Sequence, residues 1–210
     1  MREVLDPGAP RVVLRPLATP LPLGFLALAL ATVPFSAVQL GWVLPTEIRI
    51  AGLAAVAATV PLQLLASVLS FRARDPVAGT GMGVLAGTWG VVGLATLTSP
   101  PGKTSQELGV FLITAGLCML VPAVSAAAKL VPGAVMGLAA VRFLVTGGYE
   151  VSGTAGWKAA AGWVGLALGL LALYAALALE LEGAQSRTIL PLGRRGPIDV
   201  ALEPGIREQL

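Results

Sequence analysis

The sequence predicts an all-α integral membrane protein, a six-transmembrane-helix bundle, and three observations carry that prediction. The 210 residues are 56% hydrophobic and only 12% charged, whereas soluble domains carry about 25% charged residues. Apolar side chains gather into about six segments of roughly 20 residues, the length that crosses a hydrocarbon layer of about 30 Å. Within most of those segments the apolar residues run around the whole helix and leave no water-facing stripe, as in a spanning helix and not in a helix of a soluble core. The mean hydropathy of +0.84 agrees.

Residues 1–20 are polar and carry Pro7, Pro10, Pro16 and Pro20, which predicts an irregular N-terminal segment. The first 20 residues hold no apolar run followed by a small-residue cleavage site, and the first span is too long for a signal core, so it is expected to be retained. That span runs from about Leu21 to Leu44 and contains Pro34. Pro45-Thr46-Glu47 turns the chain, and Thr46 is placed to cap the second span, about Ile48 to Phe71, which holds Pro61 and Gln63. The charged loop Arg72–Pro76 leads into a third span, about Val77 to Leu97, and the turn cluster Ser99–Lys103 closes it. A fourth span, about Leu108 to Ala127 with Pro122 near its end, is separated by Lys129 from a fifth, about Leu130 to Val145. Gly147–Glu150 opens the last loop, a sixth span runs from about Trp157 to Leu181, and residues 182–210 form a polar tail.

The basic residues orient the bundle. With six spans both termini share a side, and that side holds Arg2, Arg11, Arg15, Arg72, Arg74, Lys129, Arg187, Arg194, Arg195 and Arg207. The other side holds Arg49, Lys103 and Lys158, and Arg142 falls inside span 5. This asymmetry predicts cytoplasmic termini in a cell inner or plasma membrane. It also accounts for the net charge of +3 without a nucleic-acid-binding patch. The chain has no His and a single cysteine, Cys118, so no metal site, internal disulfide or other cofactor is expected. No Ser/His/Asp set or paired carboxylates point to an enzyme, and the absence of His removes the easiest proton shuttle near neutral pH.

Gly83 with Gly87, and Gly165 with Gly169, form small-xxx-small pairs that let helices approach closely, within one subunit or between subunits. The glycines of span 3 match a dinucleotide loop only loosely, with no strand before them. Gly102-Lys103-Thr104 matches the end of a phosphate loop, but Leu97 stands where its first glycine belongs. Arg142 has two readings: a cation facing a cavity near the outer end of a path, or a side chain that snorkels or pairs with Glu107 or Glu150. Gln39 and Gln63 either line a path or bridge helices. Trp42, Trp89, Trp157 and Trp163 lie near span ends or in the outer thirds, where interfacial anchoring is the default. The prolines of spans 1, 2 and 4 free backbone carbonyls that either line a path or are satisfied locally.

Several stretches resemble the succinate–acetate permease (acetate uptake transporter) family. Its signature at the start of span 1, Asn-Pro-Ala-Pro-Leu-Gly-Leu, is matched by Thr19-Pro20-Leu21-Pro22-Leu23-Gly24-Phe25. Gln63–Ala66 through Phe71-Arg72, Trp89, Leu108–Leu112, Ala161–Leu166, Tyr174 and the tail Arg187–Gly193 follow in the family's order. The resemblance implies a path through each six-helix protomer, commonly in a ring-shaped hexamer, for acetate, related small monocarboxylates or succinate, channel-like or proton-coupled. Three positions depart: Thr19 replaces the signature asparagine, Leu85 falls where a tyrosine is expected, and Glu107 replaces a phenylalanine. If those aromatics form a gate in relatives, the gate is rebuilt or absent here.

The chain is accordingly expected to conduct a small carboxylate across the lipid bilayer. Thr19, Pro20, Leu23 and Gly24 are expected at its mouth, Gln63, Leu85, Thr88 and Trp89 along the path, and Glu107 and Arg142 at its outer end. A channel for small neutral solutes (urea, short amides or ammonia) and a non-conducting structural or signalling protein are the alternatives.

Overall fold

The computed structural model describes residues 18–127, 129–185 and 187–193. Most of the N-terminal segment and of the tail, with Arg2, Arg11, Arg15, Arg194, Arg195 and Arg207, lies outside the described residues. Six helices are long and apolar enough to cross a membrane, which makes the chain a multi-pass membrane protein: α1 (Leu21–Gln39), α2 (Pro45–Arg72), α3 (Pro76–Thr98), α4 (Gln106–Ser125), α5 (Leu130–Ser152) and α6 (Ala155–Gln185).

Local chemistry sets most of the helix ends. Pro22 sits in the first turn of α1, where its missing N–H removes nothing the helix needs. Gly41, at φ +76°, turns the chain after α1. Asp75 caps α3 by accepting the Ala78 N–H at 3.0 Å, Ser105 caps α4 through the Leu108 N–H, and Gly153 at φ +66° ends α5 in the left-handed conformation glycine adopts without strain. Inside α2, residues Ala55–Thr59 widen into a π-turn just before Pro61, whose ring displaces the carbonyl one turn back and offers no N–H to it.

The packing order closes a ring. α1 packs on α6, α6 on α5, α5 on α4, α4 on α3, α3 on α2, and α2 back on α1. Outward-facing side chains such as Leu30, Leu53, Val121 and Leu170 are exposed and suit acyl chains. Phe25, Leu28, Met82, Leu112, Met119 and Met136 are buried inside.

Small residues allow the close approaches. A Cβ on Gly109 would stand 2.9 Å from the Gly147 carbonyl oxygen, and one on Gly147 would stand 2.8 Å from that of Gly109. Gly165 and Gly169 both face α1, as their spacing predicts, whereas Gly83 meets Ser67 and Gly87 is open. Hydroxyls add cross-links: Thr32 to the Gly165 carbonyl at 3.2 Å, Thr59 to that of Ala27 at 2.9 Å and Ser67 to that of Gly79 at 2.7 Å. Where lipid removes the usual hydrophobic driving force between helices, contacts of these two kinds hold them together.

Candidate functional site

Both ends of the ring are hollow. At the end that carries Thr19 and residues 187–193, one hollow of about 250 Å³ is lined by Thr19, Pro20, Ala73, Leu179 and Leu192 among others. It shares Leu21, Asp75, Lys129 and Pro132 with an adjoining hollow of about 170 Å³. Lys129 Nζ donates to Asp75 Oδ2 at 3.0 Å across this mouth, so one carboxylate caps α3 and anchors α5. The tail packs beside it: the amides of Leu130 and Val131 donate to the carbonyls of Gly193 and Leu192 at 3.1 and 3.2 Å, and the Tyr174 hydroxyl donates to that of Pro191.

At the opposite end lies a vestibule of about 140 Å³ with Gln39, Lys103, Tyr149, Glu150 and Lys158 on its walls. Glu150 Oε2 accepts the Ser105 N–H at 2.9 Å, tying α5 to the cap of α4. Two lysines against one carboxylate give this mouth a positive bias that raises the local concentration of anions. Phe35, Val92, Leu112 and Thr146 line its inner part, and the same four line a smaller pocket of about 20 Å³ together with Trp89, Arg142 and Phe143. That is room for one water.

Three aromatic rings meet at the bottom of this pocket. The Trp89 ring lies 5.6 Å from that of Phe35 and 5.9 Å from that of Phe143, distances of direct ring contact. Leu28, Met82, Met119 and Met136 continue the apolar core of the ring. The two hollows are separated by a stretch of aromatic and thioether side chains, with Arg142 at its outer edge.

The ten residues singled out from the sequence fall in four places. Thr19 and Pro20 line the mouth at their end, with the half-buried Leu23 one turn inward, and Gly24 abuts the Met82 sulfur so closely that any Cβ there would collide. Trp89 and Arg142 line the small pocket. Gln63, Leu85 and Thr88 are buried but line none of these hollows: Gln63 donates to the Gly24 carbonyl at 3.5 Å, bridging α1 and α2, and Thr88 bonds its own helix at Val84. Glu107 is exposed in the first turn of α4. Trp89 is no interfacial anchor, being 2% exposed, whereas Trp42 and Trp163 are exposed and meet edge to face.

Arg142 takes neither of its expected partners. It is 2% exposed, and its Nη1 donates to the Ala161 carbonyl of α6. Gly165 makes room for it, since a Cβ there would stand 2.6 Å from the guanidinium carbon. Phe35 and Phe143 were missed from the sequence; the usable signal was a phenylalanine in mid-span beside a proline or an arginine. Among the described residues no group of three His, Cys, Asp or Glu side chains is placed to hold a metal.

No protein-family model matches the sequence, and no curated protein matches it. The fold is similar to a solved structure of the bacterial acetate channel SatP, with a TM-score of 0.75 and 25% sequence identity, covering 84% of this chain and 99% of that one. Together with motif matches that keep their order from about residue 18 to 194, this likeness supports the resemblance to the succinate–acetate permease, or acetate uptake transporter, family.

Proposed function

We propose that the ring of helices is a conduit for small monocarboxylates, with acetate the first solute to test and succinate the larger one, operating passively or with a proton. The observation that carries this reading is the pair of opposed hollows separated by a short apolar stretch, in a fold similar to that of an acetate channel. Thr19, Pro20, Leu23 and Gly24 are assigned to the cytoplasmic mouth and Trp89 to the constriction. Gln63 shapes the path from behind by bridging α1 and α2, the buried Leu85 and Thr88 stand along it, and Glu107 adds charge at the outer rim. The protomer works in a plasma membrane as one of a ring of six, with both termini cytoplasmic.

Uptake of labelled acetate into proteoliposomes tests the reading. Wild-type protein is expected to exceed the protein-free leak, and Thr19→Trp, which fills the mouth, is expected to reduce the excess at least fivefold. Equal rates would remove Thr19 from the path. The largely apolar constriction also suits urea, formamide or ammonia, so osmotic swelling in acetate, formamide and urea between pH 5 and 8 separates the two solute classes. Swelling only in the neutral solutes would replace the carboxylate reading, and swelling in none would make the chain a non-conducting structural or signalling protein.

A further inference from the structure

Arg142 is a permanent charge in the interior of the ring without a counter-ion. It donates a hydrogen bond to the Ala161 carbonyl, and among the described residues no carboxylate lies within ion-pair distance of it. Buried charges in proteins are ordinarily paired. Two further polar groups on the same 20 Å³ pocket lack partners: the Trp89 indole N–H, itself buried, and Gln39 Oε1. A Gln amide turned about its last bond presents its NH₂ in place of the oxygen. Three helices thus bring Arg142, the Trp89 N–H and the Gln39 amide to one water-sized space below a positively biased vestibule.

We propose that Arg142, the Trp89 N–H and Gln39 form an anion subsite that takes the ionised carboxylate of the solute, so that the solute itself is the missing counter-ion. The guanidinium fork matches a carboxylate, the indole N–H supplies a third donor, and the Phe35 and Phe143 rings fit a short apolar tail. The proposal rests on the carboxylate reading above and deepens it: the species selected at the outer constriction is the anion, and an isosteric neutral amide is rejected. The water-sized pocket seats a carboxylate oxygen, and the rest of the solute extends into the vestibule.

Ligand-observed NMR titration of purified protein with acetate and with acetamide tests the subsite without requiring transport. Wild-type protein is expected to bind acetate at least tenfold more tightly than acetamide. Arg142→Gln is expected to weaken acetate at least tenfold, and Trp89→Phe, which keeps a ring and removes the N–H, a few-fold. Equal affinity for the two ligands in the wild type, or unchanged acetate affinity in Arg142→Gln, overturns the proposal. Should Arg142→Gln lose its monodisperse elution, Trp89→Phe carries the test, and unchanged acetate affinity there overturns it. The liposome assay separates the two ideas: acetate flux without Arg142-dependent binding sinks the subsite alone, and Arg142-dependent binding without flux sinks the conduit alone.

Discussion

At the scale of single residues, hydrogen atoms in place of side chains do much of the work. Gly109 and Gly147 touch backbone to backbone, where no flexible side chain can yield. Gly147→Ala is expected to destabilise by about 1–3 kcal/mol, the usual cost of overpacking, visible as a lower thermal midpoint in detergent, while Gly87→Ala, which meets open space, leaves it unchanged. The sequence betrayed the Gly165/Gly169 pair, since both lie on one helix at a recognisable spacing. It hid the Gly109/Gly147 pair, which exists only once α4 and α5 meet. Phe35 and Phe143 were hidden for a related reason: a helix that is apolar all round carries no stripe to tell the axis-facing side from the lipid-facing side.

At the scale of elements, Asp75 joins two helices with its two oxygens. Oδ1 accepts from Ala78 in the first turn of α3, and Oδ2 from Lys129 just before α5. Asp75→Asn keeps the cap and loses the ion pair, which is partly exposed and contributes at most about 1 kcal/mol. Asp75→Ala loses both and is expected to cost about 1 kcal/mol more, the typical value of a cap. Thermal midpoints of the two variants measure that difference, and equal midpoints would show that the cap contributes nothing. The presence and number of helices were legible from hydropathy alone, because length and apolarity are local properties. The π-turn of α2 was not, although Pro61 marked its neighbourhood, since several local geometries can relieve a proline.

At the scale of the whole molecule, the distribution of charge predicts orientation. Thr19→Cys and Lys103→Cys, each with Cys118→Ala, sit in opposite mouths. In intact cells a membrane-impermeant thiol reagent is expected to modify Lys103→Cys and spare Thr19→Cys until the membrane is permeabilised; the reverse pattern would invert the bundle. Thr19 and Pro20, singled out through a local motif, line a hollow at their end. The small pocket was not legible, for it draws on α1, α3, α4 and α5, and only Gln39, Trp89 and Arg142 among its residues stood out from the sequence.

The order of packing also sets an order of synthesis. The ring is closed by α6 against α1, and both the carbonyl that receives Arg142 and the glycine that seats it belong to α6. As the chain leaves the ribosome, α5 enters the bilayer carrying an arginine whose acceptor has yet to be translated, at a cost of about 2.5–3.5 kcal/mol for a charge at mid-helix. A nascent chain that stops after α5 is therefore an open trough with an unseated charge. The ring closes only when the last helix docks.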